Sequence, residues 1–510
     1  MNQNIKNRLA ELVRKNQQDK ALVIITEYIK ENPKDKNALL KASVLGFQLM
    51  DWDVAEKMMK KLSALVSEDD VGHWKRASDF YYKIGKLDKA LECQRKIVGK
   101  NNPEELYKLG ILYFKYFDFE NAHKTFSKLN SEVPNEPQVL GILADIEHGN
   151  GEFVTSIEMY KKILKLEPVN DAAFNGIAKS TKFNHVDKEL SDLAENILNS
   201  SQIPLEAKAQ IHFSMGKMMN DCKLYYQAWE HYSKGNAIQS KLYPYLPELV
   251  ENQVKEIQSI FVKELYLSKN DLGKNDCTPI FIIGMPRSGT TLLEQVLGTT
   301  GLLCEAGESL ALNKAINKQF YNLKYPSELN RVDDDMFRRL ADDYLSYLKH
   351  CHLNGDKRTV DKLPGNFLHL GILKKMFPNM KVINLMRNKK DCCLSVYFQM
   401  FANHMTFTND LNAISHFYDI YSNMMEYWKQ LFPDNIFDLS YEDLVSDFES
   451  QTKDLFSFLL LDWNENIQDF VNSRNSVHTP SSWQVRQGIN TKAIGKSNRY
   501  TEYLEEFNLE

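Results

Sequence analysis

At 510 residues the chain exceeds a single hydrophobic core and implies about two to four domains, and its 43% hydrophobic content suits a folded protein. With 63 basic against 68 acidic residues the net charge is −5, which argues against the basic footprint of a nucleic-acid binder. The seven cysteines include no C-x-x-C pair, the N-terminus lacks an apolar signal region, and no apolar run nears the roughly 20 residues of a membrane span. These features predict a reduced, cytoplasmic protein.

Residues 1–270 read as helices with short breaks. Small residues recur at Ala21, Ala55, Ala90, Ala122 and Ser156, in steps of 34, 35, 32 and 34. Four residues after each stands a larger one: Ile25, Met59, Gln94 (the polar exception), Phe126 and Tyr160. Pro33, Pro134 and Pro168 fall near unit ends, and the phase resumes at Gly216, Ala228 and Tyr232 after a degenerate unit around 172–193. This spacing is similar to the tetratricopeptide pattern, in which a small residue on the second helix lets its neighbour pack closely. About six or seven units are expected, ending in a longer helix near 249–265. Tyr81, Tyr82, Tyr113 and Tyr116 are assigned to the core. Such a solenoid usually offers a groove for a peptide or protein, although a spacer or a homodimerisation arm would carry the same pattern. The polar, turn-rich stretch 267–276 sets the expected boundary between domains 1–270 and 271–510.

The second half opens on Pro279-Ile280-Phe281-Ile282-Ile283-Gly284-Met285-Pro286-Arg287-Ser288-Gly289-Thr290-Thr291. A buried strand, a glycine-bounded turn and a helix start make an anion site, because the first helical N–H groups are unpaired and the helix dipole is positive there. Gly284-x-x-x-x-Gly289 matches the front half of a P-loop, but Thr290 stands where a nucleotide-hydrolysing loop has its Lys. That argues for a nucleotide without a γ-phosphate, held by Arg287, Ser288, Gly289, Thr290 and Thr291. Later strand patterns end at Gly307-Glu308, at Asp361-Lys362-Leu363-Pro364, at Met386-Arg387 and at Ser440-Tyr441. A helix is expected over about 366–376, and Lys389, Lys390 and Asp391 are read as solvated helix surface.

Pro286-Arg287-Ser288-Gly289-Thr290-Thr291 resembles the 5′-phosphosulfate loop of the sulfotransferases, most closely the tyrosylprotein branch, over about 277–500. The fold class this implies is α + α/β: a tetratricopeptide α-solenoid followed by a P-loop-like sulfotransferase domain with a central parallel sheet. The resemblance further implies 3′-phosphoadenosine 5′-phosphosulfate as donor, with no metal. Glu308 becomes the base, with Glu305 the alternative, and Lys362 touches the oxygen linking phosphate to sulfur. Arg387 and Ser395 resemble the 3′-phosphate site, and Tyr441 lies near the nucleotide or in the core. Ser481 matches a catalytic serine, Lys496 a basic residue closing over the donor, and Arg486 is a further phosphate ligand. Relatives often carry Trp where this chain has Ser497, which leaves the packing of the closing segment open. The implied acceptor is a protein or peptide tyrosine bound through the repeats. Carbohydrate or small-molecule O-sulfation is the alternative, followed by a nucleotide-binding scaffold without turnover and a nucleotide kinase-like enzyme. No nucleic acid or membrane enters this reading.

Overall fold

The computed structural model describes residues 1, 3–49, 51–97, 102–116, 118–267, 273–274, 279–320, 323–332, 335–348, 358–465, 467, 489–505, 507 and 509. The chain forms two compact units, 1–139 and 140–510.

The first unit holds α1 (Gln3–Arg14), α2 (Gln18–Glu31), α3 (Lys36–Gln48), α4 (Trp52–Ser63), α5 (Val71–Lys83), α6 (Leu87–Arg95), α7 (Pro103–Lys115) and α8 (Phe119–Glu132). The repeat phase follows packing. Ala21, Ala55, Ala90 and Ala122 are wholly buried, and the ring of Phe126 lies so close to Gly110 that a Cβ there would sit 2.6 Å from it. Equivalent serines join the two helices within a pair: Ser43 donates to the Ala55 carbonyl and Ser78 to the Ala90 carbonyl, each at 3.0 Å. Asp35, Asp51, Asp70 and Asp118 cap the helices that follow them. Gln94, polar where the other units are apolar, is buried because its amide donates to the carboxylate of Glu105 at 2.7 Å. Tyr82 departs from the core assignment. It is 38% exposed, and Lys115 caps its ring at 4.9 Å.

In the second unit the repeats continue as α9 (Pro137–Asn150, beginning just before the division), α10 (Phe153–Leu166), α11 (Asp171–Ser180), α12 (Lys188–Asn199), α13 (Leu205–Asp221) and α14 (Tyr225–Leu242). The signature persists in Ser156 donating to the Ala144 carbonyl, Tyr160 against Gly176 and Tyr232 against Gly216. Among the described residues α1–α2, α3–α4, α5–α6, α7–α8 and α13–α14 pack as tetratricopeptide pairs, whereas α11 packs on both α10 and α13 and breaks the two-by-two order at the degenerate unit. The expected terminal helix is two, α15 (Pro247–Ile260) and α16 (Glu264–Leu267), separated at Phe261, whose ring is buried against Gly371. No described helix is long and apolar enough to cross a membrane.

The sheet has five parallel strands in the order β2-β3-β1-β4-β5: β1 (Ile280–Gly284), β2 (Leu303–Gly307), β3 (Arg358–Asp361), β4 (Lys381–Met386) and β5 (Ile436–Ser440). Around it lie α17 (Thr290–Gly298), α18 (Ala311–Gln319), α19 (Asp335–Tyr347), α20 (Leu370–Met376), α21 (Lys389–Tyr397), α22 (Leu411–Leu431), α23 (Tyr441–Ser446) and α24 (Phe448–Leu459). Alternate residues of β1 serve different faces. Ile280 and Ile282 join one apolar core with α17 and α24, whereas Phe281 and Ile283 join the other. A strand covered on both sides must be apolar throughout, which is why its run is unbroken.

The helix expected over 366–376 begins instead as a 3₁₀ segment, Pro364–His369, before α20. Within that 3₁₀ segment the Phe367 carbonyl accepts from the Trp428 indole N–H at 2.8 Å. The second core runs from Leu140 to Leu509 and mixes repeat helices with the sheet domain. Tyr232 stacks on Phe398 at 4.0 Å, Trp229 on Tyr503 at 5.1 Å, and Asn236 donates to the Tyr397 carbonyl at 2.8 Å.

Candidate active site

Parallel strands bring all their C-terminal ends to one edge, and each end of this sheet delivers a residue singled out in the sequence. β1 leads into the loop, β2 into Glu308, β3 into Lys362, β4 into Arg387 and β5 into Tyr441.

The loop 285–289 turns on two glycines. A Cβ on Gly284 would lie 2.5 Å from Ser288 Oγ and 2.6 Å from the Leu385 carbonyl. Gly289 has φ +111°, and a Cβ there would meet Tyr441 at 2.5 Å. Tyr441 is therefore buried, with its ring against the loop glycine. Ser288, Thr290 and Thr291 are buried at the start of α17.

Three cations crowd against this loop. Arg387 donates to the Arg287 carbonyl at 2.8 Å and to the Ala493 carbonyl at 3.0 Å, with its guanidinium 4.9 Å over the Tyr441 ring. Arg287 donates to Ser395 Oγ at 3.3 Å, so Ser395 touches the loop arginine. Lys496 completes the group. Burial, then Arg387 and Arg287, pulls its ammonium down to about 8, and burial with Arg387 pulls Arg287 to about 10. Ser288 Oγ and Arg387 Nε are buried with no hydrogen-bond partner among the described residues. Like charges beside unsatisfied donors fit an anion with several oxygens.

Asp391 corrects the surface assignment. It is buried, and its two oxygens accept from the Gly495 N–H at 2.6 Å and the Ser497 N–H at 2.8 Å. This carboxylate ties down the segment that carries Lys496, and it explains how Ser497 packs. Lys390 is exposed as expected, whereas Lys389 is mostly covered and pairs with Asp419 at 2.8 Å.

On the other side of the loop, Lys362 is 0% exposed and donates to Glu308 Oε1 at 2.7 Å, while Glu294 Oε2 lies 3.6 Å away. Glu308 is 51% exposed and so reaches solvent with its carboxylate. A register shift between Glu305 and Gly307, with Gly307 at φ +62°, turns the strand end so that Glu308 meets Lys362. Asp361 is buried between the Tyr344 hydroxyl at 2.8 Å and the Asn366 amide at 3.2 Å, and burial pushes its carboxyl up to about 7. Burial likewise raises the carboxyl of Glu294. Sequence reasoning gave Glu294 no role; its only signal was an acid on a helix whose neighbouring positions are apolar. Ser481 and Arg486 lie outside the described residues.

A glycine-bounded loop after the central strand of a parallel sheet, with cations gathered at the strand ends, defines an α/β protein of the P-loop-like class. Within that class, residues 279–465 match the Sulfotransferase family, and this part of the chain is a sulfotransferase-family domain. The chain is 30% identical over 444 residues to an uncharacterized protein of Aquifex aeolicus, covering 84% of this chain and 57% of that protein. It is 24% identical over 221 residues to Protein-tyrosine sulfotransferase A of Caenorhabditis elegans, covering 41% of this chain and 57% of that one. The chain thus spans just over half the length of each relative. Among solved structures, the sulfotransferase domain of the Synechococcus PCC 7002 olefin synthase aligns with 44% of this chain and 90% of its own, at 20% identity and TM-score 0.32.

Proposed function

We propose that the chain is a cytoplasmic sulfotransferase that moves a sulfuryl group from 3′-phosphoadenosine 5′-phosphosulfate to a hydroxyl, with a protein or peptide tyrosine as acceptor. The observation that carries this reading is the cluster of Arg287, Arg387 and Lys496 beside the unsatisfied Ser288 Oγ and Arg387 Nε. Thr290 in place of the P-loop Lys favours a donor without a γ-phosphate.

When bound, the donor supplies a sulfuryl group on a phosphate leaving group. Arg287, Ser288, Thr290 and Thr291 would hold its 5′ end, and Arg387, Ser395 and Lys496 its 3′-phosphate. Glu308, half in solvent, would take the acceptor proton. Lys362, fully buried beside it, would stabilise charge gathering on the departing oxygen. A phenol suits one carboxylate base, since its reference pKa is near 10 and a sugar hydroxyl is harder to deprotonate. Ser481 and Arg486 stay part of this proposal. We assign the chemistry to 271–510 and acceptor capture to the repeats in 1–270.

The test is donor turnover by the purified chain against tyrosyl peptides, glycans and small phenols. In parallel, 3′-phosphoadenosine 5′-phosphate should raise the melting temperature, whereas ATP with Mg²⁺ does little. Arg387→Ala should remove most of that rise, since each charge-assisted hydrogen bond contributes roughly 1.5–3 kcal/mol. Equal stabilisation by ATP would favour a nucleotide kinase instead.

A further inference from the structure

The centre has one charged group more than the transfer step uses. Glu294 sits on α17, nearly sealed from solvent, with Oε2 3.6 Å from Lys362 Nζ and Oε1 unpartnered among the described residues. Four charged groups meet here: Lys362 from the end of β3, Glu308 from the end of β2, Glu294 from α17, and Asp361 beside Lys362. Asp361 is engaged elsewhere, by the Tyr344 hydroxyl and the Asn366 amide. One buried ammonium therefore faces two carboxylates, one half in solvent and one enclosed.

We infer that Glu294 is a positioning residue that keeps Lys362 matched in charge while Glu308 takes up the acceptor proton. The inference rests on the sulfotransferase reading of Lys362 and Glu308. In the transfer step the acceptor O–S bond forms as the S–O bond to the phosphate breaks. The acceptor proton goes to Glu308, and the bonding pair leaves on the phosphate oxygen beside Lys362. Protonation removes the negative charge of Glu308, at 2.7 Å the nearest partner Lys362 has. A fully buried ammonium stripped of its counter-charge is strongly disfavoured. Glu294 prevents that, because its carboxylate is nearly sealed from solvent and is not consumed by the proton transfer. It also lets Lys362 turn from Glu308 toward the leaving oxygen without becoming an isolated charge.

Two measurements on the full chain separate this inference from the reading beneath it. The first needs no activity: melting temperatures of Glu294→Gln, Lys362→Met and the double variant. Glu294→Gln should melt several degrees lower, and the double variant should recover at least half of that loss. Strict additivity would show that the two groups are not coupled and would overturn the inference, whatever the protein's activity. The second is the pH profile of kcat/KM for Glu294→Gln. Removing a negative neighbour should lower kcat roughly tenfold or more and move both the acid limb of Glu308 and the alkaline limb of Lys362 down by about one unit. Affinity for 3′-phosphoadenosine 5′-phosphate should change less than about twofold. Coupled stability with unmoved limbs and an unchanged kcat would reduce Glu294 to a structural ion partner and also overturn the inference. Should Glu294→Gln not fold, Glu294→Asp keeps the charge one methylene further away and should show a smaller fall in kcat with unmoved limbs. Coupling of Glu294 and Lys362 in a protein that transfers no sulfuryl group would refute the proposed function and leave the charge pairing standing.

Discussion

Cutting the chain at the polar stretch before β1 should destroy the sheet domain, because the second core does not end there. A chain starting at Asp271 loses α9 to α16, and with them the cover over Phe398, Trp428 and Tyr500. Those rings pack respectively on Tyr232, Phe261 and Trp229 of the deleted part, and Phe261 also fills the space above Gly371. Leaving three large aromatic side chains in water costs roughly 5–9 kcal/mol at about 1.5–3 kcal/mol each. That is comparable to the whole stability of a typical domain, about 5–15 kcal/mol. The assay is thermal unfolding followed by circular dichroism, with and without 3′-phosphoadenosine 5′-phosphate. The 271–510 chain should aggregate or melt without cooperativity, whereas a chain starting at Pro137 should melt cooperatively and respond to the nucleotide. A cooperative 271–510 transition near that of the full chain would refute the reasoning, for it would mean the shared core contributes little.

Glu308→Gln should slow transfer by about 10²–10⁴ with donor affinity almost unchanged, and Glu305→Gln should be milder; single-turnover kinetics would check both, and the reverse order would move the base to Glu305. Nucleotide affinity should fall as pH rises through about 8, because Lys496 is held there by burial and by Arg387, and bound phosphate raises it. The sign follows from the free protein: below that pH Lys496 is already charged and binding gains its full attraction, while above it a proton must first be taken up. Calorimetry between about pH 7 and 9 would show this slope, and Lys496→Arg, which stays charged, should flatten it.

The repeats were legible because their spacing is itself a packing rule: Ala21, Ala55, Ala90 and Ala122 are small because a neighbouring helix lies on each. The glycine-bounded loop was legible for a similar reason, since the local run of thirteen residues 279–291 contains the strand, both glycines, the turn and the helix start. The strand-end residues Glu308, Lys362, Arg387 and Tyr441 could be placed because a parallel sheet repeats one geometry at each end. Asp391 could not. Its partners Gly495 and Ser497 lie more than a hundred residues along the chain, and before that contact forms Lys-Lys-Asp is an ordinary helix start. Glu294 was hidden likewise, since one acid on an otherwise apolar helix reads as a solvent-facing position until Lys362 is brought beside it. The shared core was also invisible, because an apolar helix face has the same sequence pattern whether it covers another repeat or a sheet.

A stack of repeats is open to slippage over evolutionary time, since a unit can be duplicated or dropped wherever its neighbours are interchangeable. Here that freedom is unevenly distributed. The pairs α1 to α8 meet only helices of their own kind within their unit, so their number and surface are free to drift with whatever they bind. In α13 and α14 the helices have individual identities: Asn236 is committed to the Tyr397 carbonyl, Ser240 to the Asn409 carbonyl, and Asn220 to the Tyr500 hydroxyl. These helices have ceased to be exchangeable parts. A substitution in α13 or α14 is inherited as a change to the packing of the sheet domain, and the lineage of these two helices should track that of the sheet rather than that of the repeats before them.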